Sequence, residues 1–238
     1  MTRWKVEITS VSGDIVAETL AAAGFDLDGD LLSGEPFEAL DDWGAVSDAA
    51  RELGQKITEI ARLNPDLEIG FESGPVYEYD SDGNQIGKNH KVYLQGATSV
   101  GLAGQVVAVE NTSISPEEKA EFERQARAEK AAQLMRAVMR SDLVLTVLRL
   151  FEGEPWGTEL GHVHKLIQYD MDGDLSRFGT RNQFERFNRS INHPGVLGLK
   201  ARHAVTNDEP PPDPMNLKQA TQFIRDVADK WIKEKAAT

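Results

Sequence analysis

Apolar and polar residues alternate at the start of the chain. Trp4, Val6 and Ile8 are separated by polar residues, and this period of two predicts a half-buried strand. A short helix is predicted over residues 14–23. A longer helix is predicted over residues 42–63, because its apolar positions recur at spacings of three and four and the segment Asn64-Pro65 stops it. The pattern therefore begins with one strand and two helices.

The residues after this helix have the composition of strands. Short runs rich in β-branched and aromatic residues predict four strands, at Leu67–Phe71, Val76–Tyr79, His90–Gln95 and Gln105–Glu110. Asp80–Asn84 has the residues of a hairpin turn. A strand, helices and then a run of strands predict an α+β domain with an antiparallel sheet over residues 1–114.

The rest of the chain has helical periodicity only. Ser115 caps a charged helix that continues to about Arg140, and we interpret its part over 115–133 as a linker. Four further helices are predicted, over residues 142–151, 156–169, 181–192 (capped by Thr180) and 217–235 (capped by Asn216). Four prolines within residues 207–214 predict an extended loop. We therefore expect an all-helical domain over 134–238.

The charge of the chain is confined to its first half. Residues 1–115 contain 20 acidic and 7 basic side chains, whereas residues 116–238 contain 19 of each, so the first half carries the whole net charge of −13. Forty per cent apolar residues are typical of a globular protein. The absence of cysteine excludes disulfides and thiolate metal sites. The chain shows no signal peptide and no run of apolar residues long enough for a bilayer, so we expect a cytoplasmic protein with no membrane association.

Within the neutral half, residues 177–203 form a basic segment with six Lys or Arg residues and one acid, Glu185. Arginine and a titratable histidine suit phosphodiester chemistry, because one holds the phosphate and the other transfers a proton. The candidate catalytic residues are Arg186, His193, Arg202 and His203. The candidate binding residues are Arg177, Arg181, Arg189 and Lys200. The alternative is structural: the arginines neutralise acidic surfaces or cap helices, and Arg202-His203 anchors the proline loop.

Two other patterns contain residue types that bind metal ions. Asp26–Asp30, Asp80–Asn84 and Asp170–Asp174 have calcium-loop residues, but none has the full ligand register, so we interpret all three as turns or helix ends. His162 and His164 are two residues apart on a predicted helix and face different directions, which favours one surface and one partly buried histidine. We therefore predict no metal ion and no cofactor.

Several segments of the second half resemble an uncharacterised bacterial two-domain family. They are Phe187–Pro194, Ala201-Arg-His203, Pro210-Pro211, Pro214-Met215 and the last helix to Trp231. A looser resemblance continues at Trp4–Glu7 and Asp41-Asp42. This family implies no particular activity.

A weaker resemblance is to the HEPN helical domains, many of which are RNases of bacterial defence systems. In those domains an arginine is followed, after four to six residues, by a histidine. Arg186 and His193 match this spacing, whereas Arg202-His203 matches the sequence context. This resemblance implies a metal-independent RNase, acting in phage defence, in which arginine holds the scissile phosphate and histidine transfers the proton. It also implies dimerisation.

The sequence leaves two main functions open, beside a third, small-ligand sensing by the strand-rich domain, which has only the sheet in its favour. The first is an intracellular interaction or assembly protein, because the charge is segregated and no complete catalytic motif is present. In this function the acidic domain binds a protein partner, and the helical domain forms a homodimer or docks through its basic face and proline loop. The second is the HEPN-type RNase, which would bind RNA through residues 177–203. The sequence leaves open whether the protein is an enzyme.

Overall fold

A computed structural model describes residues 3–89, 115–206 and 209–237 of the chain. The chain divides into two compact units, residues 1–139 and 140–238. The strands predicted at His90–Gln95 and Gln105–Glu110 lie outside the described residues.

The first unit contains a five-stranded antiparallel sheet, as the alternating pattern predicts. Its strands are β1 Arg3–Ser12, β2 Phe25–Asp28, β3 Leu31–Gly34, β4 Gly70–Tyr79 and β5 Gln85–Asn89. They lie in the order β2-β3-β1-β4-β5. Strand β1 pairs with β3 on one side and with β4 on the other, so Trp4, Val6 and Ile8 are buried at the centre of the sheet.

Three helices of the first unit come from the chain between the strands. They are α1 Val16–Ala21, α2 Glu35–Glu38 and α3 Trp43–Leu63. Helix α3 begins where the pattern predicts, because the carboxylate of Asp42 accepts a hydrogen bond from the N–H of Ala45 at 3.0 Å. Its apolar stripe packs on β1 and β4. Gly54 permits this close contact, since a Cβ there would lie 2.9 Å from the ring of Phe71.

One sequence-based prediction in this unit was wrong, and one hairpin was missed. Asp26–Asp30 contains the predicted turn, but the residues on either side of it form the hairpin of β2 and β3, which the sequence did not predict. The two strands predicted at Leu67–Phe71 and Val76–Tyr79 are one continuous strand, β4, which begins at Gly70. The interruption at Gly74 is accommodated by register shifts against β1, and a Cβ at Gly74 would lie 2.6 Å from Thr9.

Helix α4 spans Pro116–Arg140 and begins with the predicted capping box, in which Ser115 and Glu118 exchange hydrogen bonds. The segment interpreted as a linker, residues 115–133, lies in the first unit. Three cations of this helix pair with acids of that unit. The pairs are Arg124 with Glu18 (2.8 Å), Arg127 with Asp14 (3.1 Å) and Lys130 with Asp66 (3.0 Å).

The second unit contains only helices among its described residues. They are α5 Leu143–Arg149, α6 Gly157–Asp170, α7 Arg181–Asn192, α8 Pro194–Leu197 and α9 Leu217–Ala237. Helices α6, α7 and α9 pack on one another. The predicted caps Thr180 and Asn216 are both present, and each forms a capping box with the glutamine three residues later. The indole of the buried Trp231 donates to Asp170 at 2.8 Å, which fixes α9 against the end of α6. The α+β prediction, with helices in the second part, is confirmed.

Candidate functional site

The basic segment, residues 177–203, runs from the turn before α7 to the loop after α8. Three of its candidate binding residues form ion pairs within the second unit. The pairs are Arg177 with Glu234, Arg181 with Glu185 (2.7 Å between Nε and Oε1) and Lys200 with Glu154 (3.0 Å between Nζ and Oε2). The positive charge of these side chains is therefore balanced by acids of the same unit.

Three side chains of α7 hold the proline loop. Arg186 Nε donates to the carbonyl of Asp213 at 2.6 Å, and its Nη2 lies 3.0 Å from Oδ2 of the same residue. One turn further on, Arg189 Nη2 donates to the carbonyl of Glu209 at 3.3 Å. Ser190 Oγ donates to the Arg186 carbonyl at 2.7 Å and accepts from the N–H of Met215 at 2.9 Å. The anchoring role that we considered for Arg202-His203 thus belongs to Arg186, Arg189 and Ser190.

The two candidate catalytic histidines have different surroundings. His193 Nδ1 accepts the N–H of Gly195 at 3.0 Å and caps the short helix α8. His203 is exposed. His193 lies seven positions after Arg186, which places them about 10 Å apart along the helix axis. The structure therefore gives each member of this pair a separate structural partner.

The main chain of Arg202 is fixed at the end of α7, next to the start of α6. Its N–H donates to the carbonyl of Ile191 on α7 at 2.8 Å. Gly157 makes this approach sterically accessible, because a Cβ there would lie 2.6 Å from the Ile191 carbonyl oxygen and 2.8 Å from Arg202 N. The Arg202 side chain lies over Gly161, where a Cβ would be 3.1 Å from Arg202 Cδ and 3.2 Å from Nη1. Within the described ranges Arg202 forms no ion pair.

His164 lies one turn beyond Gly161 on the same helix. It is only 4% exposed, and its ring contacts Phe184 and Phe187 at centroid distances of 5.4 and 5.9 Å. Neither ring nitrogen has a hydrogen-bond partner in the part of the chain that the structure describes. Burial lowers the pKa of His164 to about 4, and the positive charges of Lys165 and Arg202 act in the same direction. The imidazole is therefore neutral at pH 7.

Sequence reasoning predicted one surface and one partly buried histidine on this helix, and His162 is indeed exposed while His164 is buried. It did not connect His164 with Arg202. The available signal was the spacing of Gly157 and Gly161, four residues apart on one helical face, which marks a place where another segment lies close to the backbone.

The acidic excess of the first unit is concentrated in the stretch of chain that runs from β1 into α3. Between Lys5 and Arg51 the chain has eleven acidic residues and no Lys or Arg. Asp14 and Glu18 in this stretch pair with α4. Five others are exposed and form no ion pair with any described residue. We call these five the acidic edge: Asp26, Asp28, Asp30, Glu35 and Asp41.

The aspartate-rich sequences serve as turns. Gly29 has a φ of +59° at the β2–β3 turn, and the Asp80 carboxylate accepts the N–H groups of Asp82 and Asn84 at the β4–β5 turn. These hydrogen bonds lower the pKa of Asp80, the one from Asn84 most strongly. Gly173 takes a φ of +88° after α6. Among the described residues no group of three or more His, Asp or Glu side chains is arranged to hold a metal ion.

Two further findings bear on the predictions. In the described ranges no helix has both the length and the apolar character needed to cross a membrane. Comparison of the chain with models of protein families, with curated proteins and with solved structures found no match, so the two family resemblances stay predictions.

Proposed function

We propose that the protein is an interaction protein whose first unit binds a positively charged protein partner through the acidic edge. The observation that carries this proposal is the set of five exposed carboxylates without a basic neighbour among the described residues. Acids elsewhere in this unit, such as Glu18 and Asp66, are neutralised by α4. An uncompensated patch of one sign attracts and orients a partner of the opposite sign.

The position of the patch on the sheet suits an extended partner segment. Strand β2 pairs with β3 on one side and is the edge strand of the described sheet. Asp26 and Asp28 are two residues apart on this strand and therefore point to the same face. A strand rich in Lys or Arg that paired with β2 would place cations near these carboxylates. The same carboxylates oppose pairing of β2 with another copy of itself.

The second unit supports the acidic edge as the docking surface in an indirect way. Its basic segment, residues 177–203, was our other expected contact surface. Most of these cations bind acids or loop carbonyls within the unit, which reduces the charge that they offer to a partner. Dimerisation of the chain stays a prediction, which native mass spectrometry tests.

Calorimetry with a lysine-rich peptide tests the proposal. The edge variant carries Asp26→Asn, Asp28→Asn and Asp30→Asn. The matched control carries Glu117→Gln, Glu123→Gln and Glu129→Gln at three exposed positions of α4, and it loses the same charge. We expect the edge variant to bind at least about tenfold more weakly than the control at 0.15 M salt. Equal weakening in both variants would mean that only the net charge attracts the peptide.

The alternative function is RNA cleavage of the HEPN type. It is favoured by Arg202, which has no acidic partner in the described ranges and is followed by the exposed His203. Arginine without a carboxylate partner remains available for a phosphate. Incubation of transfer RNA with the full chain in EDTA tests this function. Cleavage that is lost in the Arg202→Ala/His203→Ala variant would support it, and no cleavage by the wild type would remove it.

A further inference from the structure

His164 is buried without satisfying its hydrogen-bonding groups. A neutral imidazole has one N–H donor and one acceptor nitrogen, and both are enclosed and unpaired among the described residues. An unpaired buried polar group costs about 1–3 kcal/mol, so native proteins almost always provide a partner. The walls that the structure shows are the rings of Phe184 and Phe187, which supply no such partner.

Arg202 is a candidate for the other half of a site. Its guanidinium lies over Gly161, one turn before His164, and it has no carboxylate partner in the described ranges. Its position is set by the main chain, through the hydrogen bond to Ile191 and the missing Cβ of Gly157. A fixed cation and a buried imidazole therefore lie on the same face of α6, and both have unused hydrogen-bonding capacity.

We propose that His164 and Arg202 form a binding site for the phosphate group of a small molecule. A tetrahedral oxyanion can accept hydrogen bonds from the Arg202 guanidinium and from the imidazole N–H at the same time. A bound water molecule could satisfy the imidazole, but it would supply no negative charge opposite Arg202. The site is separate from the acidic edge, and it does not depend on RNA cleavage.

Binding of the anion is coupled to a proton. The charges that act on His164 are those of Lys165 and Arg202, while its neighbours on α7 are the uncharged Phe184 and Phe187. A bound oxyanion opposes both positive charges and stabilises the imidazolium form. Binding should therefore strengthen as the pH falls from 8 to 5. Sulfate shows this coupling most clearly, because its own charge does not change in this range.

Nuclear magnetic resonance of the full chain with labelled histidine tests the site. Inorganic phosphate, sulfate and ribose 5-phosphate are the probes, and the first and last distinguish free phosphate from phosphate on an organic molecule. The His164 signals are identified by their loss in His164→Phe, which keeps a ring against Phe184. We expect a saturable shift of the His164 signals, with His162 unchanged, and tighter sulfate binding at pH 5 than at pH 8.

The variants separate a specific site from general charge. Arg202→Gln should weaken binding about tenfold or more, and Arg202→Lys should retain part of it. Lys218→Gln removes the same charge from an exposed position on α9 and should change nothing. Two results would overturn the proposal: no saturable shift at His164 with any probe, or equal affinity in Arg202→Gln and Lys218→Gln. If Arg202→Gln does not fold, folded Arg202→Lys takes its place in the comparison with Lys218→Gln.

Discussion

Arg186 binds Asp213 twice, through its Nε to the carbonyl at 2.6 Å and through its Nη2 to the carboxylate at 3.0 Å. The two residues are 27 positions apart in the chain, so this contact closes the proline loop onto α7. A side chain that we predicted to hold a phosphate thus binds the chain itself. Of the two contact surfaces expected from the sequence, this relationship favours the acidic one over the basic segment, residues 177–203.

The hydrogen bond between Ser190 and Met215 predicts a stability effect. Ser190 is fully buried, and Ser190→Ala would leave the N–H of Met215 without its acceptor. We expect the free energy of unfolding of the second unit to fall by about 1–3 kcal/mol. Urea unfolding measures this change. Arg181→Gln is the control, because the exposed ion pair of Arg181 with Glu185 contributes only about 0–0.5 kcal/mol to the free energy of unfolding. A smaller effect for Ser190→Ala than for Arg181→Gln would show that the loop is not held in this way.

The two glycines of α6 should differ in their tolerance of alanine. At Gly157 an added Cβ meets main-chain atoms of Ile191 and Arg202 below 3 Å, so the helix and the loop must separate. At Gly161 it meets only the flexible side chain of Arg202 at 3.1 Å. We expect Gly157→Ala to lower the melting temperature clearly more than Gly161→Ala. The reverse order in calorimetry would contradict the packing of the segment against α6.

His164 predicts a loss of stability in weak acid. Its pKa is about 4 in the folded protein and about 6.5 in the unfolded chain, so the unfolded chain takes up the proton first as the pH falls. Above pH 6.5 both states are neutral and the residue has no effect. Between pH 6.5 and 4 the free energy of unfolding falls, by about 2 kcal/mol at pH 5.

His164→Phe should remove this part of the pH dependence and raise stability at pH 7, because it keeps the ring and deletes two unpaired nitrogens. His162→Gln is the matched control, since His162 is exposed on the same helix. Urea unfolding at pH 7.5 and 5.0 in acetate and other phosphate-free buffers measures both variants. An unchanged difference between the two pH values in His164→Phe would contradict a buried neutral histidine.

Much of the fold could be predicted from local signals. Asp42, Thr180 and Asn216 mark helix starts because a capping side chain acts within three residues of its own position. The β2–β3 hairpin was missed because its strands have four residues each, too few for a clear alternation. Whether Ser73-Gly74 ends a strand or forms a bulge depends on the neighbouring strand β1, which sequence spacing does not reveal.

The candidate site could be predicted only in its composition. The basic residues of 177–203 were found, but their ion pairs join positions up to 57 residues apart, such as Arg177 and Glu234. This pair depends on how the turn before α7 packs against α9, so the sequence leaves open which cations remain available. For the same reason the burial of His164 next to Arg202 became apparent only in the folded chain.

The most direct measurement maps a lysine-rich peptide onto the full chain by amide chemical-shift changes. The account predicts saturable changes over residues 25–41, centred on Asp26 and Asp28, and no comparable changes over 177–203 or along α4. These changes should be reduced in the Asp26→Asn/Asp28→Asn/Asp30→Asn variant and retained in the α4 control variant. Changes of equal size along α4, or changes confined to residues 177–203, would contradict the acidic edge as the surface for a basic partner.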